Sequence, residues 1–251
     1  MKNYWKAACF LCLISLFSPV LTAQNLQLHY DLRHTVDPAV NPHNYPTLYF
    51  EYFKAARDSG QAFIKPGSFL LKTEADLLGN GDNIGKFYLQ VSQSFRCWKP
   101  KIFLSLQYSG GGGITQPAQY SYYIYNNWCA GMEIPFHWLG AWCTSILDYK
   151  YVAYIRPTND FLYTFYWWKG LAHYKWQFSG DFSCWTENRN HGDEATEGLK
   201  GKWFFFFAEP QIWYNLNKTM ALGSKINGYY HVNTYANVFQ VYPTVAVKVK
   251  L

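Results

Sequence analysis

The stretch that decides the fold is the last fourteen residues, Val238–Leu251, which read VFQVYPTVAVKVKL. One parity of this stretch is apolar and comprises Phe239, Val241, Val245, Val247, Val249 and Leu251. The opposite parity comprises Gln240, Thr244, Lys248 and Lys250. Successive side chains of a strand point to opposite faces, so this alternation predicts a strand with one apolar and one wet face. A regular strand at a chain end needs neighbours that hold it, so we expect it to close a sheet.

The composition favours a membrane barrel over a soluble domain. The chain has 251 residues, of which 49% are hydrophobic, 21% aromatic and only 15% charged. Its mean hydropathy is nevertheless low, at -0.22. In a membrane barrel, aromatic residues girdle the interfaces while the other half of each strand faces water, which reconciles the two values. The length suits one large all-β domain.

The N-terminal segment is typical of a secretory signal. Lys2 and Lys6 precede an apolar run at Ala7–Phe17, and Leu21–Ala23 ends in a small residue. We expect cleavage after Ala23, which gives a signal peptide at 1–23 and a barrel at 24–251. The apolar run is too short to span a bilayer as a helix. Export together with a barrel predicts the outer membrane of a Gram-negative bacterium, with outer-membrane lipid around the protein.

Strand-like runs recur along the whole chain, separated by Gly, Pro, Asn and Asp. About twelve are recognisable: Leu26–Arg33, Thr47–Ala56, Ser68–Leu78, Lys86–Trp98, Lys101–Ser109, Gln119–Ile134, Ala141–Ile155, Asp160–Lys169, Tyr174–Thr186, Lys202–Asn215, Met220–Tyr230 and Thr234–Leu251. A tilted transmembrane strand needs about 9–11 residues, which these runs meet. The connections alternate between long and short, as in bacterial barrels, except for a long one at Arg57–Gly67. The run Gly110–Gly113 is expected to be a flexible outer loop. These features predict an all-β fold, a transmembrane antiparallel β-barrel of about 12 strands.

Strand parity assigns polar side chains to the lumen, because charge facing lipid is costly. The lumen-facing candidates are His29, Asp31, Arg33, Glu51, Lys72, Glu74, Asp76, Tyr88, Arg96, Asp148, Lys150, Glu209 and Lys248. With Glu133 and Lys225, the parity argument gives seven carboxylates and six basic groups. A ring of one sign would predict ion selectivity, whereas this near balance predicts neutral or zwitterionic solutes. A salt-bridged network that fills a non-conducting interior is an equally good interpretation.

Several aromatic residues share the lumen parity and are candidates for stacking a base or a sugar ring. They are Tyr49, Phe53, Tyr123, Tyr125, Phe205 and Phe207. For any one of them, a position on lipid or in the interface girdle is the more common alternative.

The chain resembles the Tsx-type nucleoside-specific channel-forming family, or a family related to it. The resemblance rests on the signal segment, the opening strand LQLHYDLR at Leu26–Arg33, about twelve strands, many Tyr and Trp residues, and a terminal strand. It implies a narrow monomeric barrel that admits nucleosides past aromatic and ionisable lumen residues. No nucleoside-contacting residue is carried over. The chain departs from such barrels by ending on Leu251 instead of an aromatic residue.

Other functions have weaker support. Cys97, Cys129, Cys143 and Cys184 lack metal-ligand spacing and are expected to be lipid-facing thiols, with a disulfide as the alternative. No catalytic, cofactor or nucleic-acid motif is present, so we expect neither a metal nor an enzyme, although a site assembled across strands stays open. The main hypothesis is passive uptake of small solutes, including nucleosides. Its alternatives are a non-conducting accessory subunit of an outer-membrane complex and a secreted β-sandwich that binds carbohydrate.

Overall fold

A computed structural model describes residues 22–56, 64–79, 83–96, 101–115, 120–153, 155–194, 196–234 and 236–251. The predicted signal segment falls almost wholly outside these ranges and stays a prediction. The elements of the described chain are β1 (Thr22–Asp31), α1 (Arg33–Val36), β2 (Tyr45–Lys54), β3 (Lys65–Asp76), β4 (Lys86–Arg96), β5 (Phe103–Ile114), β6 (Ser121–Trp138), β7 (Ala141–Ala153), β8 (Thr158–Leu171), β9 (Trp176–Asn188), β10 (Lys202–Ala208), β11 (Gln211–Asn215), β12 (Met220–Tyr230) and β13 (Phe239–Lys250).

The strands form one closed antiparallel sheet in which neighbours along the chain are neighbours in space. The terminal strand β13 pairs with β12 on one side and with β1 on the other, from Asn25 opposite Lys250 to Asp31 opposite Thr244. The prediction that the terminal strand closes the sheet is therefore confirmed, and its partner across the closure is β1. β1 begins at Thr22, two residues before the predicted mature N-terminus.

β10 and β11 are two parts of one strand. Ala208 lies opposite Phe182 of β9, and Gln211 lies opposite Ser179, so the register on β9 is the same on both sides of the break. The break falls at Glu209 and Pro210 because proline has no N–H to donate to the ladder. The Pro210 carbonyl still accepts a hydrogen bond from the Ile226 N–H at 3.0 Å. The prediction of a single strand over Lys202–Asn215 is confirmed, and the barrel has twelve strands.

Gly180 on β9 allows this proline-containing segment to approach closely. A Cβ built on Gly180 would lie 2.5 Å from the Glu209 carbonyl oxygen and 2.8 Å from the Pro210 Cα. These are backbone atoms, which cannot move aside without distorting the sheet. We expect Gly180→Ala to lower the free energy of unfolding by about 1–3 kcal/mol, as overpacking does. Urea unfolding of the detergent-solubilised barrel measures the change.

Gly112→Ala is the matched control, since Gly112 is also a strand glycine. A Cβ there would meet nothing closer than the Tyr122 carbonyl oxygen at 3.5 Å. Its effect should stay within about 0.5 kcal/mol, as for unstrained substitutions. Equal effects of the two substitutions would contradict the close-approach argument.

The barrel is apolar outside and polar inside. In β1, Leu26, Leu28 and Tyr30 are exposed, whereas His29 and Asp31 between and beside them are 1% and 2% exposed. The same alternation runs through the other strands, with exposed Leu, Ile, Val, Phe and Trp side chains on the outside. This is the reverse of a soluble domain and is the distribution of an outer-membrane barrel. The protein is thus an outer-membrane β-barrel of a Gram-negative cell, and the β-sandwich alternative is wrong.

No helix in the described ranges is long and apolar enough to cross a membrane.

The two ends of the barrel differ in their connections. One end, here the loop end, carries the longer connections at 32–44, 77–85, 189–201 and 231–238. The other, the turn end, carries short turns at 139–140, 172–175 and 216–219, and both Thr22 and Lys250. The predicted exception, Arg57–Gly67, lies mostly outside the described residues. By the usual arrangement of bacterial barrels, the loop end is extracellular.

The predicted loop at Gly110–Gly113 is wrong, because this run belongs to β5. Its backbone pairs with β4 from Lys86 to Leu89 on one side and with β6 on the other. The Tyr122 ring of β6 covers Gly113, whose built Cβ would lie 2.3 Å from that ring. A neighbouring aromatic side chain thus fills the place that the glycine leaves empty, and the ladder continues.

A register shift between Ser109 and Gly111 also reverses the parity of the first part of β6. Tyr123, assigned by parity to the interior, lies outside the barrel and is 74% exposed. Cys129 is a second correction, since it lies opposite Gln107 and Lys150 and is buried on the inner face instead of facing lipid. Cys129, Cys143 and Cys184 are free thiols, and Cys97 lies outside the described residues.

Candidate functional site

Five charged side chains meet in the barrel interior and are called the crossing cluster. They are Lys72 and Glu74 of β3, Asp181 of β9, Glu209 between β10 and β11, and Lys225 of β12. Lys72 Nζ donates to Glu209 Oε2 at 2.5 Å and lies 3.6 Å from Asp181 Oδ1. Lys225 Nζ donates to Glu209 Oε1 and lies 3.8 Å from Glu74 Oε2. Glu209 therefore binds both lysines, one with each oxygen.

The crossing cluster connects opposite walls of the barrel. Five strands separate β3 from β9 in either direction around the sheet. Twelve strands spaced by roughly 4.8 Å would enclose a circle at least about 18 Å across. A lysine and an aspartate side chain cannot bridge that width, yet Lys72 and Asp181 form an ion pair. The barrel is therefore flattened along the β3–β9 direction at this level.

Aromatic rings surround the lysines of the crossing cluster. The Tyr49 ring centroid lies 5.5 Å from Lys72 Nζ and 5.2 Å from Lys225 Nζ, within the range of cation–π attraction. Trp213, which is fully buried, receives the edge contact of His29 and has Lys248 Nζ 4.0 Å from its ring centroid. Aromatic and cationic groups therefore alternate in the interior next to the crossing.

His29 is held by neutral partners. Its Nδ1 lies 2.9 Å from Thr244 Oγ1 and its Nε2 lies 2.7 Å from Gln27 Oε1. A neutral imidazole can donate to Gln27 and accept from Thr244, so this arrangement requires no charge on the ring. The sequence-predicted His29 thus lies beside the crossing cluster without joining its ion pairs.

The loop-end mouth holds a second group. Arg33 Nη2 and Nε donate to the two Asp31 carboxylate oxygens at 2.9 and 3.1 Å. The guanidinium lies 4.8 Å from the Tyr45 ring centroid and 5.1 Å from that of Tyr242. The predicted first strand ends at Arg33, but Arg33 is instead the first residue of α1. The chain turns there because the Arg33 backbone N–H donates to the Asp31 side chain. The planar guanidinium is suited to both the bidentate pair and the ring contacts.

Asp76, the predicted lumen acid at the end of β3, belongs to the same mouth. Thr47 Oγ1 donates to its Oδ1 at 2.7 Å, and Lys86 Nζ lies 4.0 Å from its Oδ2. Lys86 is more exposed than Asp76, so this pair is a weak surface contact at the rim.

Lys150 of β7 forms a third ionic contact, with Glu187 of β9. Trp185 Nε1 donates to the same Glu187 oxygen at 2.7 Å, and Lys150 Nζ lies 4.6 Å from the Trp185 ring centroid. Trp185 stacks on Phe205, with centroids 5.4 Å apart and planes 6° from parallel. This group runs along the wall and does not cross the interior, because β7 and β9 are separated only by β8.

Within the described ranges, the remaining predicted residues form no ion pair with these groups, although Glu51 and Tyr88 lie opposite Lys72 and Glu74 in the sheet. Glu51 accepts from Asn25 Nδ2 and from the Tyr49 hydroxyl, each at 3.2 Å. Tyr88 is half-buried opposite Glu74, and Arg96 ends β4 opposite Lys65. Asp148 is 1% exposed, and no described Lys or Arg lies within ion-pair distance of it.

Sequence reasoning missed Asp160, Asp181 and Glu187. Asp160 accepts hydrogen bonds from Thr186 and Lys202, and the other two bind lysines. A usable signal was present in β9, where Asp181, Ser183, Trp185 and Glu187 alternate with Phe182, Cys184 and Thr186. The polar set of alternate residues contains a tryptophan and the apolar set contains a threonine, so the difference in polarity between the two faces of β9 is weak.

The buried charges of the described chain are predominantly negative. Eight carboxylates are buried: Asp31, Asp76, Glu133, Asp148, Asp160, Asp181, Glu187 and Glu209. Four lysines are buried with them: Lys72, Lys150, Lys225 and Lys248. An excess of carboxylates inside a narrow lumen raises the potential barrier for anions.

A family model described as "Domain of unknown function (DUF5020)" matches residues 23–251 of the chain. A search of curated proteins finds no match. Among solved structures, a KdgM porin in complex with disordered oligogalacturonate has 7% identity and a TM-score of 0.45, covering 90% of this chain and 99% of that chain. OccAB3 of Acinetobacter baumannii has 7% identity and a TM-score of 0.43, covering 92% and 99%. LpxR from Salmonella typhimurium has 9% identity and a TM-score of 0.40, covering 91% and 100%. These similarities are too distant to transfer a substrate or a mechanism.

Proposed function

The chain belongs to the DUF5020 family, and we propose that it is a passive outer-membrane channel for small polar solutes. The observation that carries the proposal is the exposure of Glu74. Its side chain is 25% exposed although it lies within the crossing cluster, 3.8 Å from the buried Lys225. The interior therefore contains space for water where the walls are closest. Side chains form the constriction. Within the described residues, no folded segment of the chain contributes to it.

The solute class follows from the interior charges and rings. Buried carboxylates disfavour anions, so neutral, zwitterionic and cationic solutes are favoured over anionic ones. Interior rings that are half-buried, such as Tyr88 and Tyr166, offer faces on which a planar base can stack. Nucleosides combine a neutral charge, a planar base and a polar sugar, and they are the first solutes to test.

Planar-bilayer recordings and liposome swelling with the purified barrel test this function. We expect measurable conductance, and swelling several-fold faster in adenosine than in adenosine monophosphate, which differs by its phosphate charge. Liposomes without protein provide the baseline. A barrel that inserts but neither conducts nor permits swelling would overturn the channel proposal.

A second candidate function is a non-conducting accessory subunit of an outer-membrane complex. The observation that favours it is the ion pair between Lys72 and Asp181, which joins diametrically opposite walls. A barrel that shows no conductance and co-purifies with a stable membrane partner would support this function over the channel.

A further inference from the structure

A row of small and acidic side chains lies on the inner face of four consecutive strands. Ser94 of β4 lies opposite Ser105 of β5, Ser105 opposite Gly131 of β6, and Gly131 opposite Asp148 of β7. The three side chains in this row are each at most 2% exposed. Because Gly131 has no side chain, the row contains a gap between Ser105 and Asp148.

Asp148 points into this gap. A Cβ built on Gly131 would lie 2.6 Å from Asp148 Oδ1, so this oxygen occupies the space above the glycine. Asp148 Oδ1 is buried, and no described residue donates a hydrogen bond to it. The Ser105 hydroxyl lies beside the Asp148 carboxylate, but a hydroxyl carries no charge, and a cation is the partner that this buried oxygen lacks.

Glu133 brings a second carboxylate to the same place. It lies two residues after Gly131 on the same face of β6 and is 7% exposed. Ser68 Oγ lies 2.8 and 3.0 Å from its two oxygens and 3.0 Å from Ser94 Oγ. Its polar partners in the described chain are therefore hydroxyls.

Glu133 and Asp148 differ from the other buried carboxylates of the described chain in their lack of a basic partner. Glu209, Glu187 and Asp181 each lie within 4 Å of a lysine. Neither Glu133 nor Asp148 lies within ion-pair distance of a Lys or Arg in the described ranges. Two carboxylates diagonal to each other on adjacent strands repel one another unless a positive charge lies between them.

We propose that Glu133, Asp148, Ser68, Ser94 and Ser105, here the acidic pocket, bind a divalent metal ion of the calcium class. All five side chains offer oxygen, the ligand atom of hard cations, and the two carboxylates supply two negative charges. No group of three or more His, Cys, Asp or Glu side chains in the described chain surrounds a metal position. An ion here is thus bound by two carboxylates and neutral hydroxyls. The near-complete burial favours a bare ion over the ammonium group of a solute.

Calcium binding to the full chain tests the pocket independently of conduction. The purified barrel is stripped with a chelator and titrated with CaCl₂ by calorimetry in detergent, with MgCl₂ in parallel. We expect one calcium equivalent to bind at or below about 1 mM, the range of weak extracellular sites. Glu133→Gln and Asp148→Asn should each weaken binding at least tenfold and abolish the calcium-dependent rise in Tm.

Asp76→Asn is the matched control, because it removes a buried interior carboxylate outside the pocket and should leave calcium affinity unchanged. Heat-modifiable gel migration establishes that each variant is folded, and either folded pocket variant suffices. The proposal is overturned if the wild-type barrel binds no calcium, if both folded variants bind it as well as wild type, or if Asp76→Asn weakens it equally. Saturation by methylammonium in place of calcium would likewise overturn the metal assignment.

Discussion

Glu209→Gln is expected to lower the free energy of unfolding of the barrel by about 3–5 kcal/mol, the largest stability effect predicted for this chain. Glu209 binds Lys72 with one oxygen and Lys225 with the other. Glutamine keeps the shape but removes the charge, so two buried ammonium groups share only Asp181 and the half-buried Glu74. Urea unfolding of the detergent-solubilised barrel, followed by tryptophan fluorescence, measures the loss.

Two further variants separate charge loss from other effects. Glu194→Gln removes an exposed carboxylate in the loop at 189–201 and should change stability by less than about 0.5 kcal/mol. Replacing the whole crossing cluster with uncharged residues, with methionine or leucine at Lys72, Glu209 and Lys225 and with the amides at Glu74 and Asp181, should cost much less than Glu209→Gln alone, since no charge is left unpaired. A five-residue variant that is less stable than the single one would show that the ion pairs themselves stabilise the barrel.

Removal of the wall-to-wall pair is expected to produce the largest functional effect. The double variant Lys72→Ala with Asp181→Ala deletes both ends of the crossing and leaves Glu209 paired with Lys225. The net charge of the interior stays the same, so any change reflects width. We expect the single-channel conductance in planar bilayers to rise several-fold.

Lys150→Ala with Glu187→Ala is the matched control for this experiment. It also deletes a buried ion pair, but one that runs along the wall between β7 and β9. Its conductance should stay close to that of wild type. If the crossing variant inserts and conducts no better than wild type, the crossing is not the constriction, and the accessory-subunit function gains support.

Much of the fold could be predicted from the sequence because one physical signal, period-two alternation, repeats in nearly every strand. It located β13 as the closing strand and Lys202–Asn215 as a single strand despite Pro210. Alternation fails where the backbone itself changes. The register shift beside Gly111 reverses the faces on which Tyr122 and Tyr123 lie. No residue type in β6 indicates that shift.

The inner-face positions of single site residues could be predicted from the sequence, but the contacts between these residues could not. Parity places Lys72 and Glu209 on inner faces, but 137 positions separate them in the chain. Their contact depends on the number of strands between them and on the flattening of the barrel, which no local pattern encodes. Asp181 escaped detection for a different reason, since its strand mixes aromatic and polar residues on both faces.

The flattened cross-section has a geometric consequence for the way this barrel could change its bore. Twelve hydrogen-bonded strands fix the perimeter, and a fixed perimeter encloses its greatest area as a circle. An oval can therefore widen towards a circle while every inter-strand hydrogen bond is kept. The ion pair between Lys72 and Asp181 resists this change towards a circular cross-section. Bore and strand number are thus decoupled in this protein, and the ion pairs of the crossing cluster hold the wall in its narrower shape.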